Sequence, residues 1–399
     1  MSRAVPIEPD MKFIKELKAS GGDTLKKCFQ CATCSVVCNL SPADQPFPRK
    51  EMIWAQWGLK DRLVKDPDVW LCHQCNDCSK HCPRGARPGD VMAALRRKQI
   101  EENAAPRFVG RMVNNPRFLP VVFAIPVILL LLVMSAAGTL HIPEGEIIYR
   151  KFIPQWPGVD VLFPLTAIWA AFCAALGVRR LWNGFHAFPR EAPAAVGLSL
   201  KPALVATLDA LTHRHFKECV VDRARYLAHL NIMWGFVLLA ATTASVAAGV
   251  YLFHQETPYA LSNPIKWIGN LGGLALIAGA LLAIFHRLSQ TDAAKGGYFD
   301  WLFLLVVLAA GLTGLLAEVL RLVRVAGVAY PVYFAHLVFV WFLFAYLPFS
   351  KFAHSFYRLA ALVFAKHAGR ELAGGRLTIG DGEHPIIEGG LDALREEAG

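Results

Sequence analysis

The sequence predicts an all-α protein in two parts, a small soluble helical domain followed by six membrane-spanning helices. Three observations lead there. Apolar residues gather into six runs of about 18 to 23 residues, each long enough to cross a bilayer. The first 105 or so residues are instead polar, rich in cysteine and without strand-like alternation. Eight of the ten cysteines fall into two copies of one spacing.

The runs are 118–140, 161–178, 232–253, 268–285, 301–320 and 332–349 in a chain that is 55% hydrophobic. They divide the protein into a soluble domain at 1–105, a membrane domain at 106–360 and a tail at 361–399. Met1–Lys27 is charged and lacks an apolar core, so no signal peptide is expected. Lys and Arg set the orientation. They crowd the approach to the first run (Arg96, Arg97, Lys98, Arg107, Arg111, Arg117), the loop between the second and third, and the tail. The first and third connections are poorer, with Arg150, Lys151 and Lys266. Both termini are therefore expected in the cytoplasm of a bacterial or archaeal cell, below the inner membrane. The net charge of +10 follows from this rim, and no nucleic-acid partner is called for.

The two cysteine motifs read CFQCATCSVVC and CHQCNDCSKHCP, both C-x2-C-x2-C-x3-C. Three thiolates on one tight loop can ligate three corners of an iron–sulfur cube, and the fourth typically serves the other cluster. One [4Fe–4S] cluster is thus expected on Cys28, Cys31, Cys34 and Cys82, the other on Cys72, Cys75, Cys78 and Cys38. Zinc prefers paired C-x2-C and has little use for repeated triplets. Disulfides are disfavoured in a reducing compartment. Cys173 and Cys219 are expected to be structural.

Between and after the motifs, PRKEMIWAQWGLKDRLVKDP and VMAALRRKQIEEN carry helical spacing or helix formers. The domain therefore resembles the α-helical ferredoxin of the heterodisulfide reductase C subunits and of succinate dehydrogenase iron–sulfur subunits, over about residues 20–100.

The last run continues as HLVFVWFLFAYLPFSKFAH. His336 and His354 are 18 residues apart, five turns of one continuous helix, which puts both imidazoles on one face about 27 Å apart. Ionisable groups in a membrane helix suggest function by default. This stretch resembles the last helix of nitrate reductase gamma-type cytochromes b, which place two haem-ligating histidines at this spacing with a PFS-type turn between. YLAHLNIMWGF carries a further match, His229, at the cytoplasmic mouth of the third run. The resemblance implies an inner haem b on His229 and His354 and an outer one using His336. The family's second outer ligand falls on Leu239 here, which leaves His254 as the best-placed partner of His336. His286 lies on the wrong side, and His141 lies outside in a loop. His213, His215 and His367 read as solvated interfacial residues.

LVATLDALTHRHFKECV reads as an amphipathic helix on the inner leaflet, and the glycines of GNLGGLALIAGALLA as close helix packing. Glu318 and Arg321 are weak quinone or proton candidates, with a simple ion pair the favoured reading. No nucleotide-binding fingerprint appears.

A helical two-[4Fe–4S] ferredoxin fused to a six-helix cytochrome b implies electron exchange with quinone. The whole chain resembles the C subunits of quinone-interacting membrane-bound oxidoreductase (Qmo) complexes, themselves similar to a fusion of the C and E subunits of heterodisulfide reductase. The resemblance implies flavin- and iron–sulfur-containing partners related to the A subunits of heterodisulfide reductase, and a link to adenylylsulfate reductase in sulfur metabolism. A heterodisulfide reductase-like membrane protein with another soluble partner is the near alternative. A non-redox membrane anchor stabilised by zinc is the distant one.

Overall fold

The computed structural model describes residues 8–42, 45–187, 200–212, 223–289 and 297–368. Among these residues every regular element is helical and none is a strand. Cys219, His213, His215 and the tail beyond 368 lie outside the described residues.

The soluble domain is built on α1 (Met11–Ala19), α2 (Arg49–Gln56) and α3 (Pro88–Asn103). Asp10 caps α1 by accepting the Phe13 amide at 2.8 Å, and Phe13, Ile14 and Leu17 form its buried face. The long helical reading after Pro48 is interrupted. Gly58, with φ of +68°, turns the chain where a Cβ would meet the Asp10 amide nitrogen at 2.9 Å. The two cysteine motifs share one backbone. Gln30 and Ala32 in the first, and Gln74 and Asn76 in the second, all have positive φ. Each loop then enters a single helical turn, Thr33–Val36 or Asp77–Lys80. Left-handed non-glycine residues store strain, and such strain gathers at functional loops.

Six helices are long and apolar enough to cross a membrane, in the order expected: α4 (Leu119–Ala136), α5 (Asp160–Phe185), α7 (Arg223–Tyr251), α8 (Pro264–Ser289), α9 (Tyr298–Leu322) and α10 (Ala326–Ala345). Between the second and third lies α6 (Leu200–Leu211), whose Leu204, Leu208 and Leu211 are exposed. The glycines of α8 do the packing expected of them. A Cβ on Gly272 would meet Leu238 at 3.0 Å, and one on Gly279 would meet the Ala228 carbonyl at 2.7 Å.

The final stretch departs from expectation. His336 to His354 is not one helix. α10 ends at Ala345, where Pro348 cannot donate to a helical ladder and Ser350 is extended (ψ −177°). Two 3-10 turns follow, and α11 (His354–His367) begins afresh. Asn114 donates to the Phe349 carbonyl at 3.2 Å, and Lys351 pairs with Asp300 of α9, so the break is fastened to the bundle. Packing runs on past residue 360. Tyr357, Ala361 and Phe364 of α11 share one apolar core with Leu17, Met52 and Trp70 of the soluble domain. The Trp70 and Tyr357 rings lie 5.4 Å apart.

Candidate electron-transfer centre

The folding of the two loops brings the cysteines together in the crossed arrangement. Cys28, Cys31, Cys34 and Cys82 line one cavity. Burial, then the negative charge of Cys28, Cys31 and Cys82, pushes the Cys34 thiol up to about 11. Cys38 faces the other triplet: burial, then Cys72 and Cys75, pushes it up to about 12. Cys78 rises for the same reasons, with Cys38 among its neighbours. Thiols so crowded and buried resist ionising alone. A cationic centre that binds thiolates relieves this, so the donor sets fit iron–sulfur clusters. The first cavity is the outward one: Cys31 is exposed, and Arg84 lies over the exposed Phe29 ring at 4.3 Å.

At the mouth of the bundle the His229 and His354 rings face each other. Their centroids are 6.1 Å apart with the planes crossed at 81°. Two imidazole nitrogens each about 2 Å from a shared metal would set the ring centres roughly 6 Å apart, so the pair fits bis-histidine ligation. His354 Nδ1 donates to the Lys351 carbonyl at 2.7 Å, which fixes the tautomer and turns Nε2 outward for a metal. Burial pushes this imidazole down to about 4 and keeps it neutral. Phe352 packs on Phe236 of α7 at 5.1 Å and on Phe303 of α9 at 5.7 Å, which holds the turn before His354 in place.

His336 is placed differently from expectation. It sits near the middle of the 20-residue α10, because the helix stops nine residues later. It therefore lies about 14 Å of rise from the C-terminal end of α10, not five turns from His354 on one helix. Nδ1 donates to the Ala310 carbonyl of α9 at 3.0 Å, and Gly314 lies against the ring. His254 is exposed, three residues past the end of α7 with φ of 49°. One residue is mid-span and the other is beyond a helix end, so the structure does not bring them together. Glu318 is the ion-pair partner expected, joined to Arg321 at 3.6 Å and also to Lys266 of α8. Cys173 is buried in α5.

Sequence reasoning missed the contacts that join the two centres. Arg225 of α7 donates to the carbonyls of His73 (2.7 Å) and Gln74 (2.5 Å), inside the loop of Cys72 and Cys75. Arg358 of α11 donates to His73 Nε2. Arg225 is one helical turn before His229, and Arg358 one turn after His354. That spacing is visible in the sequence, but nothing there shows that both reach the same loop. Also missed were Glu51, Asp66 and Asp68, which surround Lys50 in the interior with Lys50–Asp68 at 2.6 Å. Burial pushes Glu51 well above the usual carboxylate range.

A family model described as a 4Fe-4S dicluster domain matches residues 24–86, and one described as citrate utilization protein B matches residues 121–375. The C subunit of the H(2):CoB-CoM heterodisulfide,ferredoxin reductase of Methanothermobacter marburgensis is 40% identical over 88 residues, 22% of this chain and 47% of that protein. A protein of Archaeoglobus profundus, described as like the C subunit of heterodisulfide reductase, is 40% identical over 94 residues, 23% of this chain and 48% of that protein. The chain thus spans about half the length of these relatives. Citrate utilization protein B of Escherichia coli is 28% identical over 379 residues, 89% of this chain and 93% of that protein. No solved structure matches. The soluble part resembles the C subunit of heterodisulfide reductase and has an electron-transfer role, and with its membrane part the chain belongs to the citrate utilization protein B family.

Proposed function

We propose that this chain is the membrane component of a quinone oxidoreductase complex, passing electrons between the quinone pool and a cytoplasmic flavoprotein. It does so through one haem b held by His229 and His354 and two [4Fe–4S] clusters. Cys28, Cys31, Cys34 and Cys82 hold one cluster; Cys72, Cys75, Cys78 and Cys38 hold the other. Each group supplies one-electron chemistry when bound. The observation that carries the reading is the pair of facing imidazoles, 6.1 Å apart, on helices whose Arg225 and Arg358 grip the Cys72–Cys75 loop. The chain's own residues thereby set an order. The haem-side cluster is that of Cys72, and the outward one, beside exposed Cys31 and Phe29, meets the soluble partner. Cations gather at this end of the bundle, which supports a cytoplasmic placement of the soluble domain.

The partner is a flavin- and iron–sulfur-containing protein related to the A subunits of heterodisulfide reductase. A role in sulfur metabolism with adenylylsulfate reductase, as in the quinone-interacting membrane-bound oxidoreductase complexes, rests on resemblance alone. The name of the full-length relative points to carboxylic-acid use instead. The proteins that copurify decide between them.

Iron, acid-labile sulfide and haem in the purified chain test the electron route. Two clusters and one haem per chain are expected, and zinc without iron overturns the reading. Cys82→Ser should disturb the cluster of Cys28, Cys31 and Cys34, seen by electron paramagnetic resonance. Damage confined to the cluster of Cys72, Cys75 and Cys78 would refute the crossed ligation.

A further inference from the structure

We propose that Arg96 is a carboxylate-binding residue at the seam between soluble domain and membrane bundle, and that its ligand is a propionate of the haem held by His229 and His354. This rests on the haem assignment above. Arg96 projects from α3, a helix of the soluble domain, and reaches Gln74, the residue whose carbonyl also accepts from Arg225, one turn before His229. Its Nη1 makes only a long contact, 3.4 Å, with Gln74 Oε1 in the Cys72–Cys75 loop. Nε and Nη2 are buried and have no hydrogen-bond partner among the described residues.

Those two atoms are not an arbitrary pair. Nε–H and Nη2–H run parallel along one edge of the guanidinium, the edge that takes a carboxylate through two parallel hydrogen bonds. A buried cation with that edge empty is costly. Asp300, the nearby carboxylate, does not fill it, because one oxygen pairs with Lys351 and the other faces Arg287 at 3.9 Å. The site therefore calls for an anion from outside the described protein. It must be planar, carry two oxygens and reach the Gln74 loop that Arg225 ties to the His229 helix. A haem ligated by His229 and His354 carries two such groups on one edge. The phosphate of a lipid headgroup offers related oxygens from a different source.

The test uses the full chain in detergent, stripped of haem and titrated with protohaem or with its dimethyl ester, whose propionates cannot accept as carboxylates. The wild type should bind protohaem about tenfold or more tightly than the ester. Arg96→Gln should bring the two affinities together while keeping a bis-histidine spectrum and intact iron–sulfur signals. Arg96→Lys, which keeps charge but loses the fork, should fall between. Arg117→Gln, an exposed cation outside both centres, should behave as wild type. Equal affinities in the wild type, or a protohaem preference that survives Arg96→Gln, would overturn the proposal and leave the haem itself standing. Equal affinities accompanied by one tightly retained phospholipid per chain would assign the edge to lipid. A wild type that binds neither form sinks the haem assignment along with this one.

Discussion

Two regions of the bundle carry histidines, and they are built differently. At the mouth of the bundle beside the soluble domain, His229 and His354 come from separate helices and face each other at 6.1 Å. Cations surround them, and a cluster loop is bolted alongside. Mid-span, His336 faces a neighbouring helix at a glycine, its ring hydrogen-bonded to a backbone carbonyl. His336 and His354 each have Nδ1 satisfied by a carbonyl, so orientation of the ring does not distinguish them. What distinguishes them is the second ring. A membrane histidine with a carbonyl and a glycine opposite fits a packed helix contact. One with another imidazole a metal-width away fits the ligand pair proposed above.

The widest test of that contrast is removal of each ring. His229→Ala and His354→Ala should each abolish haem while leaving the iron–sulfur signals intact; His336→Ala should keep haem content and spectrum. Loss of a second haem in His336→Ala would erase the contrast. A smaller effect should come from the packing that sets the His229 side. Gly279→Leu forces a side chain against the Ala228 carbonyl, next to His229. It should cost about 2 kcal/mol in a detergent melt and lower haem occupancy. Its counterpart is Gly314→Ala, whose added Cβ would meet His336 Cε1 at 2.9 Å. That variant should lose about 1 kcal/mol at most and leave the haem spectrum unmoved. A spectral shift there would mean that the His336 ring belongs to a redox centre after all.

Much of this was legible in the sequence. Six apolar runs became six helices, because a 20-residue apolar helix leaves no unsatisfied backbone in lipid. The doubled cysteine spacing became a doubled loop, since it encodes local geometry. His229 and His354 met because depth along two antiparallel spans is a matter of counting. Counting failed where the helix did. The five-turn separation of His336 and His354 assumed an unbroken rod through Pro348 and Ser350, and the break moved His336 to mid-span and parted it from His254. Nothing local announced the grip of Arg225 and Arg358 on the His73 loop. It depends on where α3, α7 and α11 come to rest together. The same holds for the empty edge of Arg96, a property of what fails to reach it.

The seat of α11 in the soluble core bears on how the protein is made. Tyr357, Ala361 and Phe364 complete the apolar core of a domain whose cysteines all lie before residue 83. Roughly 260 residues separate the end of that domain from the end of α11. At the usual pace of synthesis the ribosome needs about 13 to 50 s to cover them. For that interval the soluble domain stands with the groove for α11 open and Trp70 without Tyr357. Of the described helices α11 is the last to emerge, and it is the one that closes this core. A chain cut short before Tyr357 should accumulate as an unsealed, cluster-labile domain on an otherwise inserted bundle.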